Sequence, residues 1–507
     1  MKKLRMAVAV LIFALFLLTF LGHGKIAELL SAPLLFFQFV PSLLHFTLKP
    51  GDIAGSGFLF VCIGTLLFGR FYCSFLCPSG ILQDMFIAIS RKTGLKKTHV
   101  FQKPYPLVRY SLLLLTLFSA LLGTLAFVNL LDPYSLFGRI AADVFKWGST
   151  FTNNILVDIL ESFDIYALSM KEQHFTPVAV LAVSMISLCF IVALSMFFGR
   201  LYCNTICPVG AFLGIFSRFS FFKFSIDRKK CSTCGLCEKS CKAGCIAPET
   251  LDIDLTRCVV CFNCLNVCKK SAVKYVFDAP FITGGQWALS RRKFLIGSAV
   301  AGGSLLSVES PVRFSINDIL SEKKVPITPP GSFGIVHFTK TCTACHLCVS
   351  ACQTNVITPA FLEYGVSGLL QPRMNYMKGH CDFECNTCGY VCPTGAISPV
   401  LLKDKKQIQI GKASLDRKQC IVHVKKRHCG ACGEACPTHA IIPAEKGLVL
   451  FPEMKPEYCI GCGACERACP TKPKAITVTA SQIHAKAEKY IPSPLPVVDY
   501  KNEDFPF

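Results

Sequence analysis

The chain has 507 residues, 52% of them hydrophobic, and a mean hydropathy of +0.47, which is too apolar for an ordinary soluble protein and predicts membrane spans. The formal net charge of +21 would favour nucleic acid, but that count treats 31 cysteines as neutral, and clusters bound by thiolates would offset much of the excess. We therefore predict no nucleic-acid partner and interpret the basic residues as marks of membrane topology.

Four apolar stretches in the first half of the chain predict membrane-spanning helices, since each approaches the roughly 20 residues that a helix needs to cross a bilayer. They lie at about 6–22, 55–70, 107–130 and 177–198. The first is interpreted as an uncleaved anchor, because no small-residue cleavage site follows it. A further apolar stretch at 31–47 is interrupted by prolines and predicts a re-entrant or interfacial segment.

Basic residues cluster at the N-terminus, after the second span and after the fourth, whereas the loops 23–54 and 131–175 carry few. Because cytoplasmic loops are enriched in Lys and Arg, we place these three basic segments in the cytoplasm. Asp132, at the outer end of the third span, is a candidate proton acceptor, although its surroundings are also typical of a simple turn at a helix end.

The segments that close the second and fourth spans repeat one motif, in which a Phe-Gly-Arg-x-Tyr stretch leads into Cys-x3-Cys-Pro-x-Gly. If the helix continues, two cysteines four residues apart share one face, so four thiols from two helices would converge. A further metal or cluster site, a thiol–disulfide or partner-docking role, and a structural role at the helix ends all remain open. The cysteines concerned are Cys73, Cys77, Cys203 and Cys207.

Two consecutive four-cysteine runs follow the fourth span with the spacing of bacterial two-cluster ferredoxins, in which the last cysteine of each run ligates the other cluster. A zinc ribbon would use two Cys-x2-Cys pairs, and doubled four-cysteine runs argue against it. An extra thiol, Cys245, is an alternative to Cys241 as ligand. The expected ligand sets are Cys231, Cys234, Cys237 and Cys268 for one [4Fe–4S] cluster, and Cys258, Cys261, Cys264 and Cys241 for the other.

A short segment at about 290–308 separates this first pair of runs from the rest of the chain. It reads Ser-Arg-Arg-Lys-Phe-Leu and then becomes weakly apolar and glycine-rich, which resembles a twin-arginine export signal. The alternative is a chance basic pair before a linker helix. Export predicts that everything after about 310 faces the periplasm, and residues 309–332 have the composition of a linker.

Four more cysteine runs form a second array, with irregular first gaps in the second and third runs. The array is expected to hold four clusters, and the pairing of the runs, sequential or nested, is open. Cys342 to His346 also matches the attachment signature of c-type haem, but it is embedded in a complete ferredoxin run. The predicted ligands are Cys342, Cys345, Cys348, Cys352; Cys381, Cys385, Cys388, Cys392; Cys420, Cys429, Cys432, Cys436; and Cys459, Cys462, Cys465, Cys469.

With these motifs, residues 1–280 resemble the NapH-type membrane ferredoxins of periplasmic nitrate reduction, and the regulator NosR and the assembly protein CcoG share parts of that plan. Residues 290–480 resemble NapG/MauM-type periplasmic polyferredoxins. The resemblance implies a protein of the inner (cytoplasmic) membrane that passes electrons from the quinone pool to a periplasmic reductase or cytochrome. The other relatives imply an alternative, a redox-sensing or metalloenzyme assembly protein that uses its Cys-x3-Cys-Pro thiols.

We therefore predict an α-helical membrane domain, with four spans plus a twin-arginine-like fifth segment, joined to α+β bacterial ferredoxin-like 4Fe–4S domains. About six clusters and a quinone are the expected cofactors. The sequence carries no flavin, nicotinamide or molybdenum motif, so we expect an electron-transfer subunit, with no catalytic residue of its own, rather than a self-contained enzyme. The predicted domain boundaries are 1–225, 226–280, 281–332, 333–480 and 481–507.

Overall fold

A computed structural model describes residues 1–22, 25–95, 101–171, 176–247, 249–278, 325–446 and 449–491. The predicted twin-arginine-like segment at 290–308 lies outside the described residues, as does most of the predicted tail. The described part consists of a helical half up to about residue 220, a small two-stranded unit after it, and a larger array from residue 325 onward.

The first half is built from helices that follow the apolar stretches of the sequence. Short 3-10 and π-helical turns join some of them, at Ile53–Ser56, Ile140–Phe145 and Tyr202–Ile206. The α-helices are Lys2–Leu21, Lys25–Phe36, Phe39–Leu48, Gly57–Phe68, Tyr72–Phe75, Pro78–Thr93, Pro106–Leu121, Ala126–Leu131, Pro133–Arg139, Lys146–Glu161, Val178–Phe198 and Pro208–Ser217.

Two of the described helices, Lys2–Leu21 and Val178–Phe198, are long and apolar enough to cross a membrane. The helices Lys25–Phe36 and Phe39–Leu48 meet at an angle of 88° and together would make a third, broken span. Such a bend is compatible with the re-entrant segment expected at 31–47. The stretches at 55–70 and 107–130 form shorter helices, because glycines at positive φ, Gly69 and Gly123, end the helical runs. The count of four spans therefore stays a prediction.

The helix Lys2–Leu21 connects the two ends of the molecule through one apolar face. Phe13, Phe16 and Phe20 recur every three or four residues along it and pack edge-on against Phe137, with ring centroids 5.6 to 6.2 Å apart. At its start Arg5 pairs with Asp84 over 3.0 Å, and at its end the Phe20 carbonyl accepts a hydrogen bond from Ser350 of the array. A helix rises about 1.5 Å per residue, so these two contacts lie about 22 Å apart.

The cysteine-rich units are small α+β folds of hairpins and single helical turns. In the first pair, the strands Phe222–Ile226 and Val273–Phe277 pair antiparallel, with Phe224 opposite Tyr275. The array has three such pairs: Ile357–Pro359 with Pro372–Met374, Ile408–Leu415 with Ile476–Lys486, and Ile441–Lys446 with Val449–Met454. The short helices are Leu236–Ser240, Asn263–Val267, Ile335–Thr341, Leu347–Ala351, Thr387–Tyr390, Leu402–Lys405, Ile421–Lys425, Ala431–Glu434 and Ala464–Ala468.

The array is larger at both ends than the predicted 333–480. Thr328 and Ser332, placed in the linker by composition, are buried, and Thr328 hydrogen-bonds His484 over 3.0 Å. The last strand continues to Lys486, and Ala487 donates a backbone hydrogen bond to Gln407. A proline-rich segment is a free linker only where nothing packs against it. Here the array packs against the residues just before 333.

Candidate metal centres

The regular cysteine runs share a local backbone shape that turns peptide N–H groups toward one point. In the first array run, the residues on either side of the second cysteine, Ala344 and His346, have φ of +53° and +59°. Such left-handed positions build concave nests of N–H groups that bind anions, including iron–sulfur clusters. The same two positions are left-handed in three further runs, at Thr233 and Gly235, Val260 and Phe262, and Gly461 and Gly463.

Three cavities in the array are each lined by four of the predicted cysteines, three from one run and one from its neighbour. We name them sites B, C and D. Their cysteines are Cys352, Cys381, Cys385 and Cys388 for site B; Cys420, Cys429, Cys432 and Cys469 for site C; and Cys436, Cys459, Cys462 and Cys465 for site D.

A fourth group, site A, follows the same rule. The thiol of Cys392, the last of the second run, lies within electrostatic range of the first three thiols of the first run, Cys342, Cys345 and Cys348. The array therefore exchanges its last cysteines between runs one and two, and between runs three and four. Of the two pairings left open by the sequence, the structure has the sequential one.

The thiols of each site surround a space and do not converge on one point. Among the described residues, no three His, Cys, Asp or Glu side chains converge closely enough to hold a single metal ion. The thiols instead surround a space, which suits a cluster with several irons and not a tetrahedral zinc site. Burial raises the pKa of Cys381 to about 11 and that of Cys462 to about 12, so loading a cluster must displace protons from these thiols.

In the first pair, Cys258, Cys261 and Cys264 lie together with Cys241. The extra thiol is there too, because the Cys245 sulfur is buried and 3.6 Å from that of Cys241. Both remain candidates for the fourth ligand. Cys231, Cys234 and Cys237 form the other group of thiols. Cys268, predicted to complete that group, accepts a hydrogen bond from the Ala272 N–H over 3.2 Å.

Site A sits directly against the membrane half. A Cβ atom at Gly138 would lie 2.3 Å from the Cys345 carbonyl oxygen, so only glycine lets this helix approach the cluster loop. His346 is buried, with Nδ1 3.1 Å from Asp143 and Nε2 2.8 Å from the Leu370 carbonyl. Both nitrogens are thereby engaged, which leaves none for the axial ligation that a c-type haem would require.

Site B lies between two buried lysines. Lys405 is 2% exposed and acts electrostatically on Cys381, and its ammonium donates to the Asp382 carbonyl. Lys146, also 2% exposed, reaches from the membrane half toward Cys352 and donates to Ser350 Oγ over 3.1 Å. Positive charge beside a cluster favours its reduced form, so these lysines would raise the reduction potential of a cluster held in site B. No motif in the sequence marks either lysine.

The Cys-x3-Cys-Pro cysteines come together inside the membrane half. Cys73, Cys77, Cys203 and Cys207 are 2–3% exposed and act electrostatically on one another. Asp132 lies beyond them toward the array, where its carboxylate accepts two hydrogen bonds of 2.8 Å from the N–H and hydroxyl of Ser135. It is the N-cap of the helix Pro133–Arg139, as the helix-end interpretation expects.

The chain matches known iron–sulfur families in several places. A family described as a 4Fe-4S binding domain matches residues 53–96, 180–228 and 388–409, and one described as a 4Fe-4S dicluster domain matches 425–473. This is a ferredoxin-type iron–sulfur protein. The dicluster match falls on the part of the ferredoxin-type array that contains sites C and D, whose cysteines are exchanged between two runs.

Relatives of this ferredoxin-type protein cover parts of the chain. An uncharacterised protein of Methanocaldococcus jannaschii is 40% identical over 17% of the chain and 35% of its own length. A second from that organism is 27% identical over 43% of the chain and 76% of itself. The ferredoxin-type protein MauN of Paracoccus denitrificans is 30% identical over 36% of the chain and 51% of its own length.

Proteins named NapH, NirI, YccM and NosR also match the chain. These matches confirm the resemblance to NapH-type membrane ferredoxins; YccM is named a putative electron transport protein and NosR a regulatory protein. The chain spans about a third or less of the length of the first Methanocaldococcus protein and of NirI, and 76% of the second Methanocaldococcus protein. The resemblance of residues 290–480 to NapG/MauM-type proteins stays a prediction.

Proposed function

We propose that the chain holds six [4Fe–4S] clusters and carries electrons from a membrane quinol to a redox protein in the periplasm. The observation that carries this proposal is the arrangement of the array, whose sites form a series that starts against the membrane half. The predicted cysteines are the ligands, with Cys241 or Cys245 completing the first pair. Terminal chemistry belongs to the partner, a periplasmic reductase or cytochrome.

The two cysteine-rich regions lie toward opposite ends of the helix Lys2–Leu21, one through a shared partner, Asp84, and the other by a direct contact, and this supports placing them on opposite faces of the membrane. At the Arg5 end, Asp84 also pairs with Lys242 of the first pair over 3.3 Å. At the Phe20 end lies Ser350, next to site A. Basic flanking segments favour a cytoplasmic first pair, and the twin-arginine-like segment between the two regions favours an exported array.

A cavity beside the first pair is our candidate for the quinol site. It is open, about 900 Å³ in volume, and reaches from the end of the helix Gly57–Phe68 to the cluster loop. Phe262, which lines it, stands between the ligands Cys261 and Cys264, so a bound ring would lie close to that cluster. Apolar walls with few polar groups are typical of cofactor sites. Further aromatic lining comes from Phe68, Phe71, Phe75, Phe222 and Tyr275.

The far end of the array is the proposed exit. Exposed basic side chains surround the ligands of site C. A cationic surface around an outlet cluster favours a partner with acidic groups around its own redox centre. We name these residues the basic face: Arg417, Lys418, Lys425, Lys426, Arg427 and Lys472.

The test is direct reduction by quinol. In the purified full-length protein, a reduced menaquinone analogue should bleach the cluster absorbance within a turnover time. Val276→Trp, which fills the cavity, should slow the bleaching. Phe277→Trp is the matched control on the same strand, because Phe277 is 62% exposed and does not line the cavity. Absence of any quinol-driven bleaching would refute the proposal.

A second candidate function, redox sensing or metalloenzyme assembly through the Cys-x3-Cys-Pro thiols, is favoured by the relatives named as the regulatory protein NosR. The burial of these thiols speaks against exchange with a partner, which needs an accessible sulfur. Replacing all four Cys-x3-Cys-Pro cysteines by serine separates this candidate function from electron transfer. Loss of a partner's maturation with unchanged quinol-driven reduction of the array would favour assembly.

A further inference from the structure

Two buried arginines tie the repeated motifs together crosswise. Arg70 of the first copy donates through Nη2 to the Cys203 carbonyl over 2.9 Å, and Arg200 of the second donates through Nη1 to the Cys73 carbonyl over 2.7 Å. Each guanidinium also approaches the sulfur within its own motif, at 3.6 Å for Cys73 and 3.9 Å for Cys203. The repeat in sequence is thus a pseudo-twofold site in space.

The glycine of each Cys-Pro-x-Gly motif is required by this crossing. A Cβ atom at Gly80 would lie 2.8 Å from Arg200 Nη1, and one at Gly210 would lie 2.8 Å from Arg70 Nη2. Each would also meet the carbonyl of the first cysteine of its own motif at 2.2 Å. The arginine and the glycine of each copy therefore help to hold four cysteines and two arginines in one place.

The charge balance of the site calls for negative sulfur. Arg70 is fully buried, and its hydrogen-bond partners in the described structure are Asn204, two carbonyls and the Cys73 sulfur, with no carboxylate. Arg200 shares the carboxylate of Asp84 with two other cations. A buried guanidinium without an anion is strongly unfavourable, and the thiols are the groups left to supply the charge.

The second cysteines are placed to act as thiolates. Cys77 and Cys207 are the N-cap residues of the helices Pro78–Thr93 and Pro208–Ser217, and the Gly210 N–H donates to the Cys207 sulfur over 3.3 Å. Helix N-termini favour thiolate, whereas burial in apolar surroundings opposes it unless a metal is bound. Neutral thiols or disulfides would leave Arg70 uncompensated.

We propose that Cys73, Cys77, Cys203 and Cys207 ligate a seventh iron–sulfur cluster within the membrane half. Four thiolates around an oxidised two-iron or four-iron cluster give a net charge of about −2, which two guanidinium groups neutralise. No described side chains converge tightly enough for a single ion, which favours a cluster over zinc or copper at this place. The positions of the cysteines and arginines support this cluster independently of the proposed function. Only its place in an electron path rests on that function.

The site lies between the first pair and site A. Toward the first pair, Asn204 donates to the Ala243 carbonyl over 3.1 Å and Arg70 to that of Thr256 over 2.9 Å. Toward site A, Tyr202 donates to the Leu131 carbonyl over 3.0 Å, two residues before the helix whose Gly138 approaches the Cys345 loop. A cluster here would accept one electron from the first pair and pass it on to site A.

Iron and acid-labile sulfide should be counted in full-length protein purified without oxygen. Six cubanes account for about 24 irons, and the wild-type protein should hold about two or four more. Replacing Cys73, Cys77, Cys203 and Cys207 by serine should remove these additional irons and leave the irons of the six cubanes. The control is Cys62→Ser with Cys189→Ser, two cysteines of the membrane half outside the motif, which should remove none.

The arginines give a second readout that does not require loss of a ligand. Arg70→Gln should lower the reduction potential of the extra cluster, and Arg70→Lys should restore most of it. A wild-type protein with no iron beyond six clusters, and with these four thiols recovered free or as disulfides after anaerobic denaturation, would overturn the proposal. Iron content does not depend on quinol, so this result and a failed quinol test are distinguishable.

Discussion

The backbone N–H of Cys381 donates a hydrogen bond to the carbonyl oxygen of Cys462 over 2.9 Å. This contact joins site B to site D, and thereby the two halves of the array, each of which exchanges cysteines only within itself. The thiols of Cys381 and Cys462 are also within electrostatic range of each other. The proposed order of the clusters is therefore A, B, D and C, from the membrane half outward.

The contact of Gly138 with site A is testable by adding one methyl group. Gly138→Ala should weaken docking of the array, because the new Cβ would meet the Cys345 carbonyl, and overpacking of this kind costs about 1–3 kcal/mol. Thermal loss of cluster absorbance should shift down by about 2–4 °C for each kcal/mol. Gly148→Ala, in a helix where a Cβ meets nothing within 4 Å, is the matched control and should not lower the midpoint.

Lys405 should set the reduction potential of site B. Lys405→Gln removes a buried positive charge, so the potential should fall by about 40–90 mV if the interaction is about 1–2 kcal/mol, at 59 mV for each factor of ten. A redox titration followed by electron paramagnetic resonance measures the shift. Lys403→Gln, on the same short helix but exposed, should leave the potential in place, and an equal shift in both variants would contradict this role.

The basic face should make delivery of electrons sensitive to salt. Replacing Lys425, Lys426 and Arg427 by Gln should slow reduction of an acidic acceptor protein on the order of tenfold at low ionic strength, with little effect at high salt. Stopped-flow rates at several salt concentrations give the comparison. Lys403→Gln removes one exposed charge outside the basic face and serves as control. Equal slowing of a neutral small-molecule acceptor would argue against docking.

Spacing in the sequence predicts which cysteines of one run group together, because a Cys-x2-Cys-x2-Cys run has little freedom in how it folds. It left the pairing of the array runs open, since either order satisfies the same spacing, and the tertiary packing decides it by bringing Cys392 beside Cys345 and Cys352 beside Cys381. Span lengths at 55–70 and 107–130 were overestimated, because apolar composition does not reveal where glycines end a helix. The arginines of the repeat were visible, but their crossing depends on tertiary packing.

The central claim is that electrons from quinol pass through the clusters of the array in series. Removal of a ligand from its second cluster, in site B, tests this claim most directly. In Cys388→Ala, which removes a ligand of site B, quinol should no longer reduce an added acidic cytochrome, whereas it should still bleach the clusters of the first pair. A loss of only about four irons and four sulfides, as expected for one [4Fe–4S] cluster, shows that the other clusters remain in this variant. An unchanged rate of quinol-driven cytochrome reduction in this variant would contradict a path through the array.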